Sequence, residues 1–178
     1  MLHEYIKVAR GEKARVTCLR CGRCCHGPNV SLTAFDICRI AKFMGIHWRD
    51  LRGKYIKAII ADMVAIPVLQ SIGGLCAFLE VSELPKCTIY PARPMKCRLY
   101  PYVPQSPSRM DSINLDGCCK GVGVGEPTEP PWSTIESYYW ELKFHYSRLH
   151  QLVFEEKYEP LQALEKLIDE VYQVLLDE

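Results

Sequence analysis

Residues 18–27 read Cys18-Leu-Arg-Cys-Gly-Arg-Cys-Cys-His-Gly27 (CLRCGRCCHG), with four cysteines inside eight residues and the last two adjacent. Cys18-x2-Cys21 is the spacing at which a tight turn aims two sulfurs at one centre, a step shared by zinc knuckles and iron–sulfur loops. Gly22 follows the second cysteine, so the chain can turn there with positive φ and bring backbone N–H groups toward sulfur. Adding Cys24 gives the first part of the bacterial ferredoxin run, in which a fourth cysteine comes three residues later, before a proline. Here Cys25 follows at once and Pro28 is preceded by Gly27. The stretch is therefore not a ferredoxin loop. The fourth ligand for Cys18, Cys21 and Cys24 is either Cys25 or a residue from elsewhere.

Working outward, Cys76, Cys87, Cys97 and Cys119 fall in segments that read as loops or strand ends, where metal ligands usually sit. With the first four they make eight sulfurs, which divide into two tetrahedral sets. Adjacent side chains project differently, so Cys24 and Cys25 serve two centres or one of them is idle. Spacing does not say which cysteines share a centre. Of the ten cysteines in the chain, two remain. Cys38 lies within a helical pattern and reads as a small buried hydrophobe. Cys118 is an alternate ligand or a spare thiol. His26 is a ligand candidate weighed against a plain loop histidine.

The 178-residue length suits one domain with an appendage, and a 48% apolar composition is enough for a real core. The opening, MLHEYIKVARGEKARV, has no apolar run suited to a signal peptide. The longest apolar stretch, AIIADMVAIPVL, is interrupted by Asp62 and Pro67, so no membrane span is expected. The expected compartment is the reducing cytoplasm, where clustered cysteines are metal ligands or catalytic thiols rather than disulfides. The net charge of +1 conceals an asymmetry: residues 1–125 hold 18 Lys/Arg and 9 Asp/Glu (+9), and residues 126–178 hold 4 and 12 (−8). A basic surround offsets thiolates; equally, an acidic tail can dock on a basic body. The basic residues form no stripe, which argues against nucleic acid as a partner.

Along the chain, Thr33 with Asp36 three residues on predicts a capped helix that Gly45 ends. A second helix is expected over residues 47–63, with Trp48, Leu51 and Tyr55 inward. Residues 64–81 read as two short strands about Gly73-Gly74, and CTIY (87–90) as a third. Pro94 opens a single helical turn near Cys97, and residues 118–132 read as a linker. Two apolar stripes, Ile135 to Val153 and Leu161 to Leu175, predict a helical hairpin. The fold class expected is mainly α, with a small β-hairpin or sheet and metal-stabilised irregular loops. That is a small metal-bound α+β domain over residues 1–125, with a linker and C-terminal helical hairpin over residues 126–178 packed on it.

CLRCGRCC, SLTAFDI, GLCAFLE, KCTIYPARPMKCRLYP and CCKG, in this order over residues 15–125, resemble the YkgJ-like cysteine-cluster proteins. These are zinc- or iron-chelating Cys-x2-Cys-x2-Cys-Cys domains, also described as iron–sulfur-cluster-containing proteins. The resemblance implies eight ligands at Cys18, Cys21, Cys24, Cys25, Cys76, Cys87, Cys97 and Cys119, with Cys118 the rival for the last place. Flagellin lysine N-methylase members suggest a methyltransfer context, but no S-adenosylmethionine site is recognisable here.

The leading expectation is a metal-binding protein holding an iron–sulfur cluster in a redox or electron-transfer role, with an unidentified protein as redox partner. The alternative is a structural module with one or two zinc ions that presents a binding surface. The third is a thiol redox or methyltransfer-associated protein. Arg20, Arg23, Lys86, Lys96, Arg98 and Lys120, with Arg93 beside Cys97, could tune a cluster's potential or be solvated surface charge. No catalytic acid–base pair is legible, so an enzymatic assignment does not follow.

Overall fold

The computed structural model describes residues 4–27, 30–83, 85–108 and 110–176; the Pro28 feature of the cysteine loop lies outside them. The expectation of a mainly α protein is overturned. Helix accounts for 39% and strand for 27% of the described structure, the strands forming several small antiparallel sheets.

Strand β1 (Tyr5–Ala9) pairs with β10 (Ser112–Asp116), which pairs with β9 (Tyr102–Val103). Strand β2 (Ala14–Val16) pairs with β11 (Val122–Thr128), through a register shift between Val122 and Pro127. Residues 122–128, expected as linker, are thus a strand. Its Gly and Pro residues fit an edge position, where a missing ladder donor or side chain is tolerated. Residues 47–63 also depart from expectation. Only a 3-10 turn, Trp48–Leu51, forms. Gly53 takes φ +72° and the chain continues as β3 (Ile56–Ala61), paired in full register with β4 (Val64–Leu69) around Asp62-Met63. The Ile-Lys-Ala-Ile-Ile run is β-branched at three positions, and such side chains favour a pleated surface over a helix.

The smaller hairpins carry cysteines. β5 (Ser71–Ile72) and β6 (Leu75–Cys76) meet about Gly73-Gly74, both at positive φ, the turn expected there. β7 (Leu79–Glu80) pairs with β8 (Lys86–Cys87), and CTIY turns into a 3-10 segment at Tyr90 instead of continuing as a strand.

The helices follow their sequence signals more closely. α1 (Ala34–Met44) opens on a complete Thr33/Asp36 capping box and closes on Gly45 at φ +66°. α2 (Met95–Leu99) is the expected single turn after Pro94. α3 (Trp132–His150) runs on into a π-helical turn, Gln151–Glu155, before α4 (Pro160–Leu176).

Two apolar cores result. The first joins α1 (Ile37, Ile40, Ala41), Trp48, Leu51, β4, Phe78, Leu149, Leu152 and the inner face of α4 (Ala163, Leu164, Leu167, Ile168). The second joins Val8, Ile113 and Leu115 of the three-stranded sheet to Met95, Leu99, Trp132, Ile135 and Tyr138. Among the described residues, ion pairs link the basic body to the acidic C-terminal helices: Arg10–Glu136, Arg39–Glu141, Arg49–Asp169 and Arg52–Glu165. Among the described residues no helix is long and apolar enough to cross a membrane.

Candidate metal centre

The cysteine loop leaves β2 and turns back through two left-handed residues, Arg20 (φ +52°) and Gly22 (φ +68°). Gly22 is needed twice over. Its φ disfavours a side chain, and a Cβ there would lie 2.8 Å from Pro85 Cβ. Arg23–Cys25 then form a 3-10 turn closed by Cys25 N–H to the Gly22 carbonyl at 2.9 Å. The loop is tied to the β5–β6 hairpin by Gly27 N–H to the Gly74 carbonyl at 2.6 Å and by an antiparallel bridge from His26 to Leu75. It is tied to the segment between Cys87 and Cys97 through Tyr90. The Arg20 guanidinium lies 4.6 Å and that of Arg93 3.6 Å from its ring centre. Such stacking is worth roughly 0.5–2 kcal/mol per contact.

The cysteines differ in burial. Cys18, Cys21 and Cys24 are exposed, Cys25, Cys87, Cys97 and Cys119 are half-buried, and Cys76 is buried. Cys25, Cys76, Cys87 and Cys97 all pack on the first apolar core. Electrostatically, Cys119 is coupled to Cys21, Cys24 and Cys18, Cys25 to Cys24, Cys76 and Cys87, and Cys24 also to Cys76, Cys87 and Cys97. The eight expected ligands are therefore gathered on one side of the molecule.

Three of these sulfurs share a local device. Burial pushes the Cys76, Cys87 and Cys119 thiols up, and in each the backbone N–H two residues on, of Phe78, Ile89 and Gly121, opposes this. An N–H pointing at sulfur favours thiolate, the form that binds metal. The hydrogen bond from the Cys25 thiol pulls Cys24 down to about 6 and holds Cys25 itself well above the thiol range, with burial adding to the latter. Cys97 is pushed up to about 12 by burial.

A model of the family described as "CxxCxxCC: Putative zinc- or iron-chelating domain" matches residues 17–120. The chain belongs to this family. It is also 30% identical over 160 residues to an uncharacterized protein of Methanocaldococcus jannaschii, covering 86% of this chain and 80% of that one. No solved structure matches it.

The donor set fits what the CxxCxxCC family is described as doing. Soft sulfur donors on turns, three with N–H support, suit zinc or an iron–sulfur cluster. Among the described residues, however, no three His, Cys, Asp or Glu side chains are drawn together tightly enough to grip an ion as they stand. The expectation of a metal-bound domain with metal-stabilised loops is corrected accordingly. Hairpin pairing, the Tyr90 stack and apolar packing position the cysteine segments, and the sulfurs are gathered but not closed.

The leftover residues are also placed. Cys38 is buried on α1, its thiol 3.8 Å from the Ile168 carbonyl and pushed up to about 12 by burial, so it behaves as a core residue. Cys118 is exposed and its N–H goes to Asp116 at 2.9 Å. His26 lines an open hollow of about 390 Å³ with Cys21, Arg23 and Lys120. Arg93 lies close enough to Cys24 and Cys87 to favour their thiolates, while Arg98 is spent on the Pro91 carbonyl.

Spacing gave no hint of the polar cluster behind Cys97. Buried Asp36 receives Thr33 N–H, the Arg39 guanidinium and, at 2.9 Å, the N–H of Met95 at the start of α2. Glu141 joins through Arg39 and Thr33, and His145 Nδ1 accepts Ala34 N–H at 3.1 Å. Asp36 is thereby a positioning residue for the helix that carries Cys97. Its capping role is visible in the sequence; its reach across 59 residues is not.

Proposed function

We propose that this CxxCxxCC-family chain binds an iron–sulfur cluster through thiolate ligands drawn from Cys18, Cys21, Cys24, Cys25, Cys76, Cys87, Cys97 and Cys119, and passes electrons to a protein partner in a reducing compartment. The observation behind this is the position of the sulfurs. Cys25, Cys76, Cys87 and Cys97 pack on the apolar core, and Cys18, Cys21 and Cys24 are exposed. A cluster in such a place is shielded on one side and within reach of a docked partner on the other. N–H groups aimed at Cys76, Cys87 and Cys119 and the guanidinium of Arg93 are the groups that raise a cluster's potential.

Anaerobically purified protein should be brown, absorb broadly in the visible and contain iron with acid-labile sulfide. A colourless protein with stoichiometric zinc would replace this reading with a zinc module built on the same donors. A protein with neither metal, whose thiols titrate freely, would leave a thiol redox role.

A further inference from the structure

We propose that the cysteine set is two centres of unlike burial: an inner tetrad of Cys25, Cys76, Cys87 and Cys97, and an outer tetrad of Cys18, Cys21, Cys24 and Cys119. This rests on the metal-binding reading and divides the site it describes.

Backbone register carries the inner set. Gly27 N–H bonds to the Gly74 carbonyl and His26 bridges Leu75. One more antiparallel step sets Cys25 opposite Cys76. Cys87 lies opposite Leu79, only three residues beyond Cys76, and Thr88 N–H bonds to the Phe78 carbonyl at 2.9 Å. Cys97 enters from α2, whose first turn Asp36 holds. All four side chains meet the same apolar core.

A different junction carries the outer set. Val16 pairs with Val122, and Thr17 N–H donates to the Gly121 carbonyl at 3.0 Å. Cys18 therefore leaves β2 beside the Cys119–Gly121 turn. The two segments are so close that a Cβ on Gly121 would meet the Thr17 carbonyl oxygen at 2.1 Å and the Cys119 sulfur at 3.6 Å. Cys21 shares its hollow with Lys120, next to Cys119. Arg23, His26 and Lys120 around that hollow supply the donors and positive charge that a thiolate centre open to water needs.

The adjacent pair sits at the join. In a 3-10 turn each residue advances by about 120°. Within this turn Cys24 is exposed while Cys25 packs on the core. Adjacent cysteines are what a chain requires to feed two neighbouring centres from one turn. Each tetrad is an all-sulfur set of the kind that takes zinc or an iron–sulfur cluster.

The test is zinc titration of the reduced apo chain, with stoichiometry read by native mass spectrometry. Wild type should hold two ions, and Cys24→Ser and Cys25→Ser one each. A chelator should strip the ion left in Cys25→Ser before the one left in Cys24→Ser. Because Cys25 touches the core, the surface double variant Cys18→Ser/Cys119→Ser gives an independent arm. It should also hold one ion with an unchanged circular dichroism spectrum, while Cys118→Ser keeps two. A single ion in wild type, or loss of both ions from the surface double variant, would overturn the division while leaving metal binding intact. A wild-type chain that takes neither zinc nor iron would remove the metal reading itself.

Discussion

At the scale of single residues, three positions can be tested away from the sulfurs. Gly22 combines φ +68° with a Cβ site against Pro85. Gly22→Ala should cost about 1–2 kcal/mol from the backbone alone, and more from the clash, read as a shift in the denaturant midpoint. Burial lowers the His145 imidazole from its ordinary 6.5 to about 4. It accepts Ala34 N–H through Nδ1, and its other nitrogen is buried without a hydrogen-bond partner. Because the folded value lies below the unfolded one, the fold favours neutral histidine. That contribution is complete above pH 6.5 and is lost as the pH falls toward 4, on the order of 3 kcal/mol over the range. In His145→Gln the difference in unfolding free energy between pH 7 and pH 4 should shrink by a comparable amount. An unchanged pH profile would mean that the fold takes up a proton at His145 as readily as the unfolded chain does. Asp36→Ala leaves Arg39 beside Glu141 alone and frees Met95 N–H. Each buried backbone donor left unsatisfied costs roughly 1–3 kcal/mol. Beyond that loss, metal affinity should fall in the folded fraction, because α2 no longer holds Cys97 in place.

At the scale of elements, local signals were legible wherever one residue type decides the backbone. Thr33, Asp36 and Gly45 mark both ends of α1, Gly73-Gly74 marks a hairpin, and Pro94 opens α2. The signals failed where an apolar run had no such punctuation. Trp48, Leu51 and Tyr55 are spaced for a helix and two of them are fully buried, yet the chain extends after Gly53 because Ile56, Ile59 and Ile60 prefer a strand. The hairpin that follows turns at Asp62 (φ +48°) and Met63 (φ +62°), a two-residue loop with positive φ at both positions. Methionine is a poor occupant of that conformation. Met63→Gly should raise stability by about 0.5–1 kcal/mol in a thermal or urea melt, with no change in metal stoichiometry.

At the scale of the whole molecule, the charge asymmetry becomes an arrangement of ion pairs between α3 or α4 and the basic body. Arg49–Asp169 at 2.6 Å and Arg10–Glu136 at 2.8 Å are substantially exposed, as is Arg52–Glu165. Each is worth up to about 1 kcal/mol and is screened by salt. Raising sodium chloride from low to molar concentration should lower the melting temperature modestly. An increase would show that repulsion among the basic residues around the cysteines outweighs these pairs. Apolar packing does not depend on those ion pairs, and two cores underlie the fold. Chelation should therefore leave the far-ultraviolet circular dichroism of α1, α3 and α4 in place and affect mainly the residues near Cys18–Cys25. A global loss of helix on metal removal would show instead that the cores cannot stand without the ion.

By itself, the sequence determined the family, the candidate donors and the helix ends, because cysteine spacing, caps, glycine and proline act within a few residues. Tertiary structure alone decided three things. It made strands of residues 56–61 and 122–128, since each needed a partner strand to take up its backbone groups. It placed Asp36 beneath Cys97, across a separation no periodicity records. And it set Cys25 against the core while leaving Cys24 exposed, a difference that depends on where the core lies rather than on which residues are adjacent.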